Sequence, residues 1–174
     1  MNSAQMAPIR FREEQAFRQC WIVLLMGFLV ALQWWGFIQQ IVLGIPWGNR
    51  PAPDWMMVLL WLAFGIGLPA FFLYLRLIVT VTDQSIVIHY RPILKHVIPI
   101  SEVERHRVRN YSSLRDYGGW GIRGLPSNRA YNVSGDRGVE LLLTGGRRVL
   151  IGSQRADELA RAIIGEPEPR RGFP

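Results

Sequence analysis

A single cysteine, Cys20, in 174 residues excludes an internal disulfide framework and any zinc site built from several thiolates. Three histidines, His89, His96 and His106, fall in no metal-ligand spacing. Lysine also occurs once, at Lys95, so the net charge of +7 is an arginine charge. Formal charge is missing altogether over the 31 residues between Arg18 and Arg50 and the 21 between Asp54 and Arg76. Each gap exceeds the roughly 20 residues that cross a bilayer core as a helix. No ionisable residue stands inside either run, which argues against a transport path. No Gly-x-Ser-x-Gly elbow or clefted acid–base pair is visible either, so neither an enzyme nor a cofactor is expected.

What is present divides the chain into four segments. Residues 1–18 form an N-terminal segment bearing Arg10, Arg12 and Arg18, and residues 19–76 carry two spans, about 19–43 and 55–75. The connection holds only Arg50 and Asp54, whereas 16 basic residues follow from Arg76 onward. Basic flanks around a nearly neutral connection predict a helical hairpin in the cytoplasmic membrane with both termini cytoplasmic. Between antiparallel helices, Gly27 and Ala31 share depths with Ala70 and with Gly65 and Gly67. Small residues at matched depth predict close backbone approach. Gln33, near mid-span, requires a hydrogen-bond partner, and Pro69 predicts a kink. Cys20 reads as a small buried apolar residue.

Beyond Arg76 the apolar period changes from helical to alternating, which predicts a run of short strands. They span Leu77–Thr82, Ser85–Arg91, Lys95–Ile98, Val103–Tyr111, Gly119–Arg123, Arg129–Val133, Val139–Thr144 and Arg147–Ile151, the first two joined by Asp83-Gln84. A helix capped by Ser153 and stopped by Gly165 follows, its buried face set by Ala156, Leu159, Ala160, Ile163 and Ile164. Residues 77–165 therefore form a small α+β domain, and the proline-rich 166–174 a disordered tail. Gly119, Trp120 and Gly121 lack the following helix that a phosphate loop needs. They read as a structural bulge with Trp120 capping the core and Arg123 just beyond.

Arg105, Arg107 and Arg109 alternate, so they share one strand face, and Arg115, Arg123 and Arg129 extend the basic run past one acid, Asp116. Two readings stand side by side: a solvated face that tolerates substitution, or a surface for anionic lipid or an acidic partner. No stacking-aromatic array accompanies the arginines, so nucleic acid is not expected.

The strings Tyr117-Gly118-Gly119-Trp120-Gly121-Ile122-Arg123, Gly138-Val139-Glu140-Leu141 and Gly146-Arg147-Arg148-Val149-Leu150-Ile151-Gly152-Ser153 resemble the bacterial pleckstrin-homology-like domains of small membrane proteins. The resemblance covers residues 77–165. It implies two bent antiparallel sheets with a C-terminal capping helix, and no single activity, since such domains bind lipids, peptides or each other. The short acidic Asp83-Gln84 turn departs from the long basic loop of phosphoinositide-binding relatives. The expected function is thus a non-enzymatic, membrane-anchored binding or scaffold protein. Its partner would be a membrane protein, a second copy of the chain or anionic lipid. The alternative is an accessory subunit or assembly factor of a larger complex, for example photosynthetic or respiratory.

Overall fold

The structure, a computed structural model, describes residues 8–165. The expected disordered tail at 166–174 lies outside the described residues. The chain divides into two compact units, residues 17–75 and a β unit assembled from both flanks of that segment.

The first unit holds two apolar helices, α1 (Cys20–Val42) and α2 (Asp54–Tyr74), each long and apolar enough to cross a membrane. Ile22 and Met57 are buried, but Leu24, Phe28, Trp35, Leu59 and Leu73 are all exposed. A core helix of a water-soluble protein would hide them. Pro69 lacks the N–H that would continue the ladder. Just before it, α2 widens into π-helical geometry over Trp61–Gly67, one of the ways a helix absorbs a missing hydrogen bond.

The helix–helix contact differs from the depth-matched expectation. Gly27, Ala31, Gly67 and Ala70 are exposed, and Cys20 is exposed as well. Of the six small or polar packing residues, Gln33 and Gly65 meet: a Cβ on Gly65 would lie 3.5 Å from Cβ of Gln33. Aromatic rings fill the rest of the contact. Phe37 stacks on Trp61 at 4.1 Å between centroids, Trp34 meets Trp61 edge-on at 5.1 Å, and Trp47 covers Gly36. Buried Gln40 fastens the connection, donating to the Ala52 carbonyl at 2.7 Å and to Asp54 Oδ1 at 2.8 Å.

The β unit contains two sheets. The first is an antiparallel meander of β1 (Ile9–Ala16), β2 (Arg76–Thr82), β3 (Ser85–Arg91) and β4 (Leu94–Pro99). The second comprises β5 (Val103–Asn110), β6 (Gly121–Leu125), β7 (Asn128–Asn132), β8 (Arg137–Leu143) and β9 (Arg148–Gly152), ordered β5-β8-β9-β7-β6. Two further helices, α3 (Ser113–Tyr117) and α4 (Ala156–Ile164), complete it.

Three features depart from the sequence reading. The N-terminal segment is no separate element: β1 pairs with β2 from Arg12↔Thr80 to Ala16↔Arg76, on the far side of the apolar helices in sequence. The second sheet is not wholly antiparallel, because β7 runs parallel to β9. A short helix, α3, occupies the span between β5 and β6.

The core lies between the sheets. Leu77, Val79, Val81, Ile86, Ile88 and Tyr90 of the first sheet, Val139, Leu141, Ile151 and Tyr131 of the second, and Leu159 and Ile163 of α4 are all buried. The inward face of β1 is unusual. Phe11 is apolar, but Glu13 and Gln15 are buried carboxylate and amide. Both find partners in the turn that leads from β9 into α4. Glu13 Oε2 accepts from the Ser153 hydroxyl at 2.5 Å and Oε1 from the Gln154 N–H at 2.9 Å, while Gln15 Nε2 donates to the Gly152 carbonyl at 2.9 Å. Ser153 does not cap α4 directly; its Oγ accepts from the Arg155 N–H, and Arg155 is the residue at the cap position. A carboxylate from the chain's N-terminus thus sits beside the positive end of its last helix.

Candidate binding face

Pairing registers fix what lies on the outer face of the second sheet. Directly paired residues point to the same side. One row reads Arg107, Glu140, Leu150, Ala130, Arg123, and the next Arg105, Leu142, Arg148, Asn128, Leu125. Arg109 pairs with Gly138 at the other end of β5. Arg105, Arg107, Arg109, Arg123 and Arg148 therefore share a face that β5, β9 and β6 supply from distant parts of the sequence.

Part of this face is covered. Ser112 caps α3 by accepting from the Arg115 N–H, and Gly118, with φ of 70°, ends it in the left-handed region. The helix carries Tyr117 onto a small cluster of Tyr111, Ala130 and Leu150. Burial pushes both tyrosine hydroxyls up from their ordinary pKa. Gly152 is required here, since a Cβ would fall 2.6 Å from the Tyr111 hydroxyl and 2.9 Å from Asn132. Trp120 is half-buried rather than a core cap, and its carbonyl accepts from Arg123 Nε at 3.0 Å. Gly119 lets the Arg123 guanidinium approach, and Gly121, φ 106°, donates its N–H to Asn132 Oδ1 at 2.8 Å.

Not all the arginines of the sequence cluster gather. Arg129 pairs with Val149, whose side chain is in the core, so it belongs to the opposite face. Arg115 is exposed on α3. Nor are those that gather equivalent. Glu140, only 8% exposed, accepts from Arg107 Nε at 2.6 Å and from Arg109 Nη1 at 3.0 Å. Arg109 also reaches Asp116 at 3.4 Å. Arg107 and Arg109 are thus tied to a buried carboxylate, and the expectation of a freely substitutable face fails for them: removing them strands Glu140. Arg105 and Arg148 have no ion-pair partner among the described residues and flank Leu142.

Sequence reasoning missed Glu140 and Arg148. The signal for Glu140 was an acid inside the apolar strand Val139-Glu140-Leu141-Leu142-Leu143; for Arg148, only the sheet order reveals it. An open cleft of about 350 Å³ lies on this face, lined by Arg105, His106, Arg107, Glu140, Leu142 and Arg148.

His96 does other work. His96 faces the core side, where Nδ1 lies 2.9 Å from the Tyr131 hydroxyl and ties the sheets together. Burial, then Arg129 and Arg147, holds its pKa below the ordinary value. Among the described residues no group of three His, Cys, Asp or Glu could hold a metal ion.

Comparison with curated proteins and with solved structures finds no match. Residues 2–167 do match a family model, a span that takes in β1, both apolar helices and the whole β unit, and the chain therefore belongs to the family described as Family of unknown function (DUF6141).

Proposed function

We propose that this protein is a non-enzymatic, membrane-anchored binding protein. Helices α1 and α2 cross the cytoplasmic membrane as a hairpin, and the β unit stands on the cytoplasmic side. Its outer arginine face meets a membrane-protein partner or an anionic lipid surface. One observation carries the reading: strands from both flanks of the apolar pair lie in register, Ala16 opposite Arg76, four residues before Cys20 and two after Tyr74. Such a pairing needs both flanks on one side of a bilayer, which is what a two-span hairpin provides. Basic Arg10, Arg12 and Arg18 ahead of α1, and Arg76 after α2, favour the cytoplasmic side for both. Two sheets enclosing a core with α4 across one side support a pleckstrin-homology-like β unit; the parallel β7–β9 pair is a variation on that plan.

A basic residue near an anionic leaflet gains about 1 kcal/mol. An accessory subunit or assembly factor of a larger membrane complex is the form of this function that acts through a protein partner. Photo-cross-linking tests it. A photoreactive residue at exposed Leu125, in the same row of this face as Arg105 and Arg148, should trap a discrete membrane protein or lipid in intact cells, and one at Arg161 on α4 should not. Equal, diffuse trapping from both positions would contradict a dedicated face.

A further inference from the structure

We propose that the cleft on the outer face of the second sheet binds a phosphate monoester, held between Arg105 and Arg148. The inference rests on the anchored-binding reading above and assigns a ligand chemistry to its arginine face.

The two arginines come from β5 and β9, with Leu142 of β8 between them in direct register. Neighbouring strands are about 4.7–4.9 Å apart. Arg105 and Arg148 are thus two strand spacings apart on one face, close enough for two long side chains to converge over Leu142. Arg107 borders the same cleft and is 67% exposed at its side chain. Its charge is already answered by Glu140, which also holds Arg109.

Glu140 thereby sorts the arginines. Arg107 and Arg109 are fixed by a buried carboxylate and serve as scaffold, Arg123 donates to the Trp120 carbonyl, and Arg105 and Arg148 are left with their guanidinium groups uncommitted. Two uncommitted guanidiniums match a doubly charged tetrahedral oxyanion, because each planar fork can present paired N–H donors to two of its oxygens. A single carboxylate would leave one guanidinium uncompensated. The cleft, at about 350 Å³, also exceeds what a bare oxyanion fills, and Leu142 gives it an apolar floor. A phosphate carrying a small organic substituent fits both features. The same chemistry reaches the protein from two sources, a phosphomonoester lipid headgroup or a soluble phosphate.

The test uses the full chain in nanodiscs. One arm compares the melting temperature of the β unit in zwitterionic lipid with that in the same lipid containing phosphatidic acid. The other arm adds inorganic phosphate to zwitterionic nanodiscs. Stabilisation in the first arm alone identifies the lipid source, and stabilisation in both includes the soluble one. The Arg105→Gln/Arg148→Gln variant should weaken the midpoint at least tenfold in whichever arm responds, while its melting temperature without phosphate stays at the wild-type value. Arg129→Gln, on the opposite face, should bind like wild type. No response in either arm, or full binding by the double variant, overturns the proposal. Cross-linking from Leu125 to a protein would persist in that event and keep the broader reading, whereas loss of both would remove both.

Discussion

Glu13→Ala tests how the β unit is closed by the segment ahead of the first apolar helix. The carboxylate is 8% exposed and accepts two hydrogen bonds, from the Ser153 hydroxyl and the Gln154 N–H. Hydrogen bonds to a charged group are worth about 1.5–3 kcal/mol each, so truncation removes roughly 3–6 kcal/mol and strands both donors. The partners lie in the turn before α4, so the loss falls on the attachment of β1 to the rest of the unit. At about tenfold per 1.4 kcal/mol, opening of β1 becomes at least a hundred times more frequent. Hydrogen–deuterium exchange of the Ile9–Ala16 amides in micelles reads this directly. Glu14→Ala is the control: its side chain is exposed and pairs with Arg76 at 2.5 Å, and its removal should leave exchange nearly unchanged. Exchange accelerated less than threefold by Glu13→Ala would refute the role given to this contact.

Further outcomes follow from other contacts. Gly138→Ala places a Cβ 2.5 Å from the backbone carbonyl of Ile151, which cannot swing away, and should cost about 1–3 kcal/mol in chemical denaturation of the β unit. Because the His96 pKa is lowered by folding, the unfolded chain binds the extra proton first. Stability is therefore full above pH 6.5 and falls as pH drops below it, and His96→Gln should flatten this slope. Protonation would also fix Nδ1 as a donor, leaving the Tyr131 hydroxyl only the acceptor role in that contact. A slope unchanged in His96→Gln would assign the effect to another group.

Alternation made much of the β unit legible. Ser85–Arg91 reads as β3 because Ile86, Ile88 and Tyr90 repeat every second residue, and these three are buried. β1 was hidden because its inward set is Phe11, Glu13 and Gln15. A carboxylate and an amide signal an inward face only once their partners, some 140 positions along the chain, are known. α3 carried its own marks, Ser112 before it and Gly118 after it, but five residues are too few to show a helical period. In the hairpin, depth matching gave the height of Gly27 and Ala31 but not their rotation about the helix axis, which turns both away from the contact. Period two also put Arg105, Arg107 and Arg109 together. It could not bring in Arg148 or set Arg129 aside, since those depend on strand order and on the parallel β7–β9 pair.

Site-directed labelling tests the central claim, that one cytoplasmic β unit is assembled from both flanks of a two-span hairpin. In a Cys20→Ser background, single cysteines replace Asn49 in the connection, Arg12 on β1 and Thr144 after β8, all three exposed. Intact cells are treated with a membrane-impermeant thiol reagent. The account predicts labelling at position 49 alone, with positions 12 and 144 reacting only after lysis. Labelling of 12 and 144 in intact cells without 49 would reverse the orientation, and labelling of only one of the two would place β1 and β2 on opposite sides of the membrane and contradict the assembly itself.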